Sequence, residues 1–320
     1  MNKQRLRSAL TYLISLLMIA AFVYYLYINA DKYLELLNVS FAGVVALFLL
    51  SLALPVLNGF QNTILYRELG TANFSYLDGI FISAISSLAN QLPIPGGVIS
   101  KAYYLKRKYN LSYIVFSSST LALFFCYVAL NGLIGLSVLG YWVTFDQATV
   151  SPVLLIGFGL MTTCILIFWA PLERIKTPNH VHEKLERALD GWLHINRNPL
   201  MTLEMLFLQF VMILLLSIRY WLAFHMLSQD ISIGQLLLMS SASILTQVVS
   251  IAPGGLGVRE GIVGAVAAIL GLDAGVSVVA VGLDRLVSTF VKLLAGGVGA
   301  IVLGNQLARI AAEPQAKEKP

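Results

Sequence analysis

The stretch SIAPGGLGVREG, residues 250–261, interrupts one of the most apolar regions of the chain with a proline, four glycines and two adjacent opposite charges. Proline lacks the amide hydrogen and glycine is a poor helix former, so a continuous helix through Pro253, Gly254 and Gly255 is not expected. Irregular backbone at membrane depth is tolerated only where protein buries it or where it lines a wet cavity. The stretch therefore predicts a broken membrane segment whose helix restarts near Val258.

The composition around this stretch is that of a membrane protein. The chain has 320 residues, of which 58% are hydrophobic and 12% charged, and its mean hydropathy is +0.80. Apolar runs long enough to span a bilayer recur along it. We predict an all-α polytopic integral membrane protein that forms one transmembrane domain over residues 1–320.

The apolar pattern divides into uninterrupted and interrupted segments. Two segments are interrupted: 76–106 breaks at QLPIPGG, which ends in Pro95, Gly96 and Gly97, and 235–272 breaks at SIAPGG. We expect six full spans at 9–29, 41–60, 113–140, 152–170, 200–226 and 275–303.

The distribution of basic residues predicts the orientation. If both broken segments are re-entrant hairpins and Met1 is cytoplasmic, sixteen of the 21 basic residues lie inside and only Lys32 lies outside. This satisfies the rule that cytoplasmic loops carry the lysines and arginines. We expect a multi-pass protein of the bacterial cytoplasmic (inner) membrane with both termini in the cytoplasm.

The two broken segments resemble each other. ISAISSLANQLPIPGGVISK and SSASILTQVVSIAPGGLGVR align without gaps at an offset of 158 residues, which places Lys101 opposite Arg259. The predicted orientation makes the two hairpins enter from opposite faces, as in an inverted repeat. The repeat-like halves cover about 41–170 and 200–303. An amphipathic linker, about 173–199, joins them and is expected on the cytoplasmic membrane surface or packed against the helices.

After the sixteen inside residues and Lys32, four of the 21 basic residues remain, and all four fall within predicted membrane segments: Arg219, Arg259, Arg285 and Lys292. Intramembrane charges are costly and usually mark pathways. Arg259 follows Gly257 at the start of a helix, whose N-terminal amides attract anions. Glu260 is either the partner of Arg259 or a latch to another cation.

The last span adds Asp284, Arg285 and Lys292, and the two cations lie on one helix face, seven residues apart. Asp284 is expected to balance a neighbouring cation, and Lys101 to guard the inner mouth. The polar residues Asn90, Gln91, Thr246 and Gln247 precede the breaks and are expected mainly to satisfy freed backbone groups. Together, Arg259, Arg285 and Lys292 are expected to neutralise the phosphate of a ligand. The alternative is a purely structural charge network that specifies helix packing. Asn131, beside small residues, predicts a helix–helix hydrogen bond.

The second break also resembles a known motif. PGGLGVRE, residues 253–260, is similar to the P-x-G-x-G-x-x-E motif of the lysylphosphatidylglycerol synthase transmembrane family, a flippase-like membrane domain. Gly96-Gly97 followed by Lys101 is similar to an earlier glycine-rich motif of that family, in which arginine is usual. Arg285 matches a frequent arginine, whereas Lys292 stands where a proline often does. The resemblance implies a stand-alone membrane domain without the fused aminoacyltransferase domain.

Lipid translocation is the function that this resemblance implies, with an anionic phospholipid, a glycolipid or a polyprenyl-phosphate-linked lipid as the substrate. We expect a transporter rather than an enzyme, with no cofactor, no metal and no nucleic-acid partner. A homo-oligomer or envelope-synthesis partners stay open. One alternative is a non-catalytic scaffold of an envelope lipid or polysaccharide pathway. Another is an integral-membrane transferase with a lipid-linked donor, for which Asp78, Glu204 and Asp284 are the candidate acids.

Overall fold

A computed structural model describes residues 39–91, 96–146, 149–169, 189–247 and 257–312, with only the backbone described at 247 and at 308–312. The predicted first span, 9–29, and most of the linker 173–199 lie outside the described residues. The same holds for the break residues Pro95, Pro253, Gly254 and Gly255.

Every regular element in the described ranges is helical, as the all-α prediction requires. Four of these helices are long and apolar enough to cross a membrane, namely α1, α4, α6 and α9. The protein is therefore a multi-pass membrane protein. In chain order the helices are α1 Phe41–Glu68, α2 Tyr76–Ala89, α3 Gly96–Tyr109, α4 Tyr113–Thr144, α5 Pro152–Phe168, α6 Pro199–Met226, α7 Ile233–Ala242, α8 Val258–Ile269 and α9 Ala274–Ala312.

The two predicted breaks are confirmed. α2 ends at Ala89 and α3 begins at Gly96, while α7 continues as a 3₁₀ turn, Ser243–Gln247, before α8 begins at Val258. The second break is longer because α8 starts only after Gly257. That residue has a positive φ of 79°, which favours glycine.

Serine caps start the first short helix of each half. The Ser75 hydroxyl accepts from the Asp78 amide at 3.0 Å, ahead of α2. The Ser232 hydroxyl accepts from the Gln235 amide at 3.3 Å, ahead of α7. Such caps satisfy amides that have no partner inside the helix. The two short helices therefore begin with the same local signal.

The halves repeat the same element order and exchange their packing partners. Each half has a long helix, two short helices around a break and a second long helix, so that α1–α4 correspond to α6–α9. α2 packs on α9 of the other half, α7 packs equivalently on α4, and α1 packs on α6. α5 follows the first half and packs on α4. Because each half packs a short helix on a long helix of the other half, neither half alone makes its full set of contacts.

Glycines allow the short helices to approach the long ones closely. A Cβ atom on Gly296 of α9 would lie 2.5 Å from Leu88 Cβ and 3.0 Å from the Ala84 carbonyl oxygen of α2. One on Gly59 of α1 would lie 2.7 Å from the Ile80 backbone. Small residues are the usual means by which membrane helices pack.

The end of the amphipathic linker packs inside the protein. Residues 189–197 are helical, and Trp192 and Ile195 are buried in a cluster with side chains of α1–α4 and α6. Of the two expectations for the linker, packing against the helices holds for this part. The residues before 189 lie outside the described ranges.

Candidate functional site

Glu260 joins the start of α8 to α9. Its carboxylate oxygens accept from Arg285 Nη1 at 2.7 and 2.8 Å, and one of them also accepts from the Gly257 amide at 3.0 Å. Glu260 and Arg285 are both buried. The anion that the N-terminus of α8 attracts is thus one of the protein's own carboxylates, and Glu260 is a latch to Arg285 rather than the partner of Arg259.

Asp284 lies beside Arg285 on α9 and holds two other cations. Its Oδ1 atom accepts from Arg219 Nε at 2.8 Å and lies 2.6 Å from Arg219 Nη2. Its Oδ2 atom lies 3.5 Å from Arg259 Nη2. The prediction that Asp284 balances a cation is confirmed. Arg219 is only 1% exposed, so it lies inside the protein rather than at its surface.

A chain of hydrogen bonds orients Arg259. Its Nε donates to the Tyr220 hydroxyl at 2.9 Å, and the Tyr220 and Ser243 hydroxyls lie 2.9 Å apart. Ser243 in turn donates to the Met239 carbonyl at 2.9 Å. The guanidinium carbon of Arg259 also lies 5.4 Å from the centre of the Tyr220 ring, within the range of a cation–π contact.

Arg259 faces a cavity of about 240 Å³ between the two halves, which we call the arginine cavity. Arg219, Arg259 and Lys292 line it, and no carboxylate is among its described lining residues. Asp284 can neutralise one of the two arginines it contacts, so an excess of positive charge faces the cavity. The other lining residues are Leu54, Asn58, Asn131, Gln209, Met212, Ile213, Leu216, Ser240, Ser243, Ile244, Thr246 and Ser288.

Lys292 differs from the arginines in its contacts. The Lys292 ammonium has no hydrogen-bond or ion-pair partner among the described residues, although its side chain is partly buried. Arg285 is bound to Glu260 and lines neither this cavity nor the second one. Of the two cations predicted on one face of the last span, Lys292 is therefore the one presented to the cavity.

A second cavity, of about 220 Å³, surrounds Lys101 and is called here the lysine cavity. Lys101 Nζ donates to Asn62 Oδ1 at 3.4 Å. Asn62 and Tyr220 are 158 residues apart, like Lys101 and Arg259. The contact of Lys101 with Asn62 thus repeats that of Arg259 with Tyr220. The other lining residues are Asn58, Gln61, Leu65, Tyr66, Ser86, Asn90, Val98, Phe116, Thr120, Leu123, Phe124, Tyr127 and Gln209.

The two cavities follow each other along α1 and α6. On α1 the arginine cavity takes Leu54 and Asn58, while the lysine cavity extends from Asn58 to Tyr66. On α6 the order is reversed, because Gln209 borders both cavities and Arg219 only the first. Asn58 and Gln209 therefore lie between a cation-rich cavity and a cavity with a single lysine.

Two other predicted site residues, Asn90 and Gly96, act on the backbone at the first break. Asn90 Oδ1 accepts from the Gly97 amide at 2.9 Å, as the expected role of Asn90 requires. Gly96 lets α3 approach α2, since a Cβ there would lie 2.5 Å from the Ala89 carbonyl oxygen. Thr246 lines the arginine cavity, whereas Gln247 ends the 3₁₀ turn and its side chain lies outside the described part of the chain.

Asn131 departs from its prediction. Its amide donates to the Tyr127 carbonyl of its own helix at 2.8 Å, so the predicted helix–helix hydrogen bond is wrong. The small residue beside it does make the helix contact, because a Cβ on Gly132 would lie 2.5 Å from the Thr162 amide nitrogen of α5. Asn131 instead lines the arginine cavity.

Asp78 belongs to a separate polar cluster at the end of α3. Lys108 Nζ lies 2.6 Å from Asp78 Oδ2 and 2.8 Å from Gln306 Oε1, and the Tyr109 hydroxyl also donates to Asp78. Burial, and then the Asp78 carboxylate, raise the pKa of Tyr109, so the hydroxyl stays a donor. Of the candidate acids, Asp78 and Asp284 are thus ion-paired and buried, whereas Glu204 is exposed on α6.

The family model for the lysylphosphatidylglycerol synthase transmembrane region matches residues 8–296. The chain belongs to this family. No curated protein and no solved structure matches the chain. The match covers both broken segments, the arginine cavity and the lysine cavity, so the membership that the resemblance of PGGLGVRE implied is confirmed. Membership places the protein in a membrane family related to lipids.

Proposed function

We propose that this protein moves a lipid with an anionic phosphate between the leaflets of the bacterial inner membrane. The observation that carries the proposal is the arginine cavity, in which Arg219, Arg259 and Lys292 face a shared space and Asp284 contacts both arginines. Cations at membrane depth are costly and usually serve a transported charge. A phosphate bound here would supply the missing negative charge.

The second support is the succession of two cavities between the repeated halves. In transporters with inverted repeats, the substrate binds where the repeats meet, and rocking of one repeat against the other alternates access. The lysine cavity and the arginine cavity lie at such an interface, with Asn58 and Gln209 between them. The head group would cross through these cavities while the acyl or prenyl tails stay in the bilayer.

The rate at which lipid moves between the leaflets of proteoliposomes tests the proposal. The purified protein is reconstituted with phosphatidylglycerol that carries a fluorophore on one acyl chain, and dithionite bleaching reports the fraction that reaches the outer leaflet. We expect Arg259→Gln and Lys292→Gln to lower the rate toward that of protein-free liposomes. Arg107→Gln serves as the matched control, since Arg107 is exposed at the end of α3. Unchanged flux in both cavity variants, with melting temperatures like the wild type, would exclude this site.

A further inference from the structure

Resting on the proposed lipid translocation, we propose that the lysine cavity binds an uncharged, hydroxyl-rich head group, a glycosyl or polyol group attached to the lipid phosphate. Its described lining has one charged residue, Lys101, against three in the arginine cavity. The rest of its polar lining consists of amides and hydroxyls: Asn58, Gln61, Asn62, Tyr66, Ser86, Asn90, Thr120, Tyr127 and Gln209.

Several of these side chains have donor or acceptor atoms that no described residue binds. The Tyr66 hydroxyl and the Gln209 amide have no hydrogen-bond partner among the described residues. Gln61 Nε2 donates to the Met205 carbonyl at 3.1 Å, which leaves its oxygen as an acceptor. Buried polar groups are normally paired, and leaving them unpaired is costly. Water or a polar ligand must therefore satisfy them.

A sugar or polyol matches this lining better than a charged head group does. Each ligand hydroxyl both donates and accepts, and amide side chains offer both functions side by side. The rings of Tyr66, Phe116 and Tyr127 give the cavity apolar walls for the carbon–hydrogen face of a sugar. An ammonium head group would meet Lys101 and no carboxylate among the described lining residues. The cavity therefore selects against cationic head groups such as a lysyl ester.

The position of the cavity explains how one ligand would use both sites. Asn58 and Gln209 border both cavities, so a phosphate held by Arg259 and Lys292 is adjacent to the amides that lead into the lysine cavity. The phosphate would supply the charge interaction, and the hydroxyl-rich group would supply the selectivity.

Affinities for lipids that differ only in the head group test the inference. The probes are dioleoyl phosphatidylinositol, whose head group carries five free hydroxyls, and dioleoyl phosphatidylethanol, which has the same charge and none. Lysyl-phosphatidylglycerol is the cationic probe. We expect phosphatidylinositol to bind about tenfold more tightly than phosphatidylethanol, and the lysyl lipid to bind most weakly. Equal affinity for the first two lipids would overturn the inference.

Tyr66→Phe removes only a hydroxyl that has no described partner, and we expect it to weaken phosphatidylinositol binding about fivefold, the worth of one hydrogen bond of about 1 kcal/mol. The affinity of the Tyr66→Phe variant for phosphatidylethanol should equal that of the wild type. Tyr141→Phe, at an exposed tyrosine of α4, is the matched control. If Tyr66→Phe lowers the melting temperature, Thr120→Val tests the same cavity. Loss of both affinities in equal measure would contradict the assignment.

Arg259→Gln separates this inference from the proposed function. If the variant binds both phospholipids more weakly, and the wild type binds phosphatidylinositol and phosphatidylethanol with equal affinity, lipid binding is supported and the hydroxyl-selective cavity is excluded. If the variant binds both phospholipids as tightly as the wild type does, the phosphate site is excluded, and the proposed function is excluded with it.

Discussion

Two adjacent residues on α8 bind two adjacent residues on α9. Arg259 contacts Asp284, and Glu260 contacts Arg285. Neighbouring residues on a helix point about 100° apart, so Arg259 and Glu260 do not face each other. The sequence predicts the charges and their depth, but the partners depend on how α9 crosses α8. That crossing is why the sequence left open whether Glu260 pairs with Arg259.

The Glu260–Arg285 pair makes a prediction for stability. Glu260→Gln leaves Arg285 buried with a weaker partner, and breaking a buried pair costs about 3–5 kcal/mol. We expect a clear fall in melting temperature for Glu260→Gln, and a smaller one for the double variant Glu260→Gln/Arg285→Met, which buries no unpaired charge. A double variant less stable than the single variant would contradict this account.

For Lys292 we expect the opposite effect on stability. Because its ammonium has no described partner and lies in a cavity with two arginines, Lys292→Met should keep or raise the melting temperature. Arg219→Met, which leaves Asp284 with only the 3.5 Å contact to Arg259, should lower the stability by about 3–5 kcal/mol. Thermal unfolding in one detergent compares the two variants. A large loss of stability in Lys292→Met would indicate a structural role.

At the level of elements, proline and glycine placed both breaks correctly, because the lost amide and the poor helix propensity act locally. The exit from the second break was also predictable, since α8 begins at Val258 as expected. The burial of Trp192 was left open between two positions. The amphipathic pattern of the linker fits a membrane surface and a protein surface equally, and only the neighbouring helices decide between them.

The packing of α2 on α9 predicts different effects for two neighbouring glycines. An added methyl at Gly296 meets Leu88 Cβ at 2.5 Å, whereas at Gly297 it meets nothing within 4 Å. Gly296→Ala should therefore lower the melting temperature. Gly297→Ala should leave it unchanged or raise it, because alanine favours a helix by about 1 kcal/mol over glycine. Equal melting temperatures for the two variants would show that α2 and α9 do not pack this way.

For the whole molecule, the two halves are more alike in structure than in sequence. The sequence shows their similarity only in two short stretches, whereas the structure shows it in the element order and in the exchanged contacts. α2 on α9 and α7 on α4 are equivalent contacts, although the long helices share little sequence. An apolar span can be built from many combinations of apolar residues, so two spans can have equivalent contacts without similar sequences. Both breaks carry Pro-Gly-Gly at the same offset of 158 residues.

Orientation is the untested part of that symmetry, and cysteine labelling decides it. Arg107→Cys and Gln229→Cys place exposed thiols at the ends of the first and second short-helix pairs. The native Cys126 and Cys164 are first replaced by serine or alanine. We expect a membrane-impermeant maleimide on intact cells to label Cys at 229 and to label Cys at 107 only after permeabilisation. Labelling of both from one side would contradict an inverted repeat.

The central claim is that a lipid phosphate binds in the arginine cavity. Native mass spectrometry with lipid analysis tests it most directly, on gently extracted wild type, the double variant Arg259→Gln/Lys292→Gln and the control Arg107→Gln. The account predicts one enriched class of phosphate-bearing lipid on the wild type and the control, and its loss from the double variant. The same lipids in the same amounts on all three proteins would contradict the account.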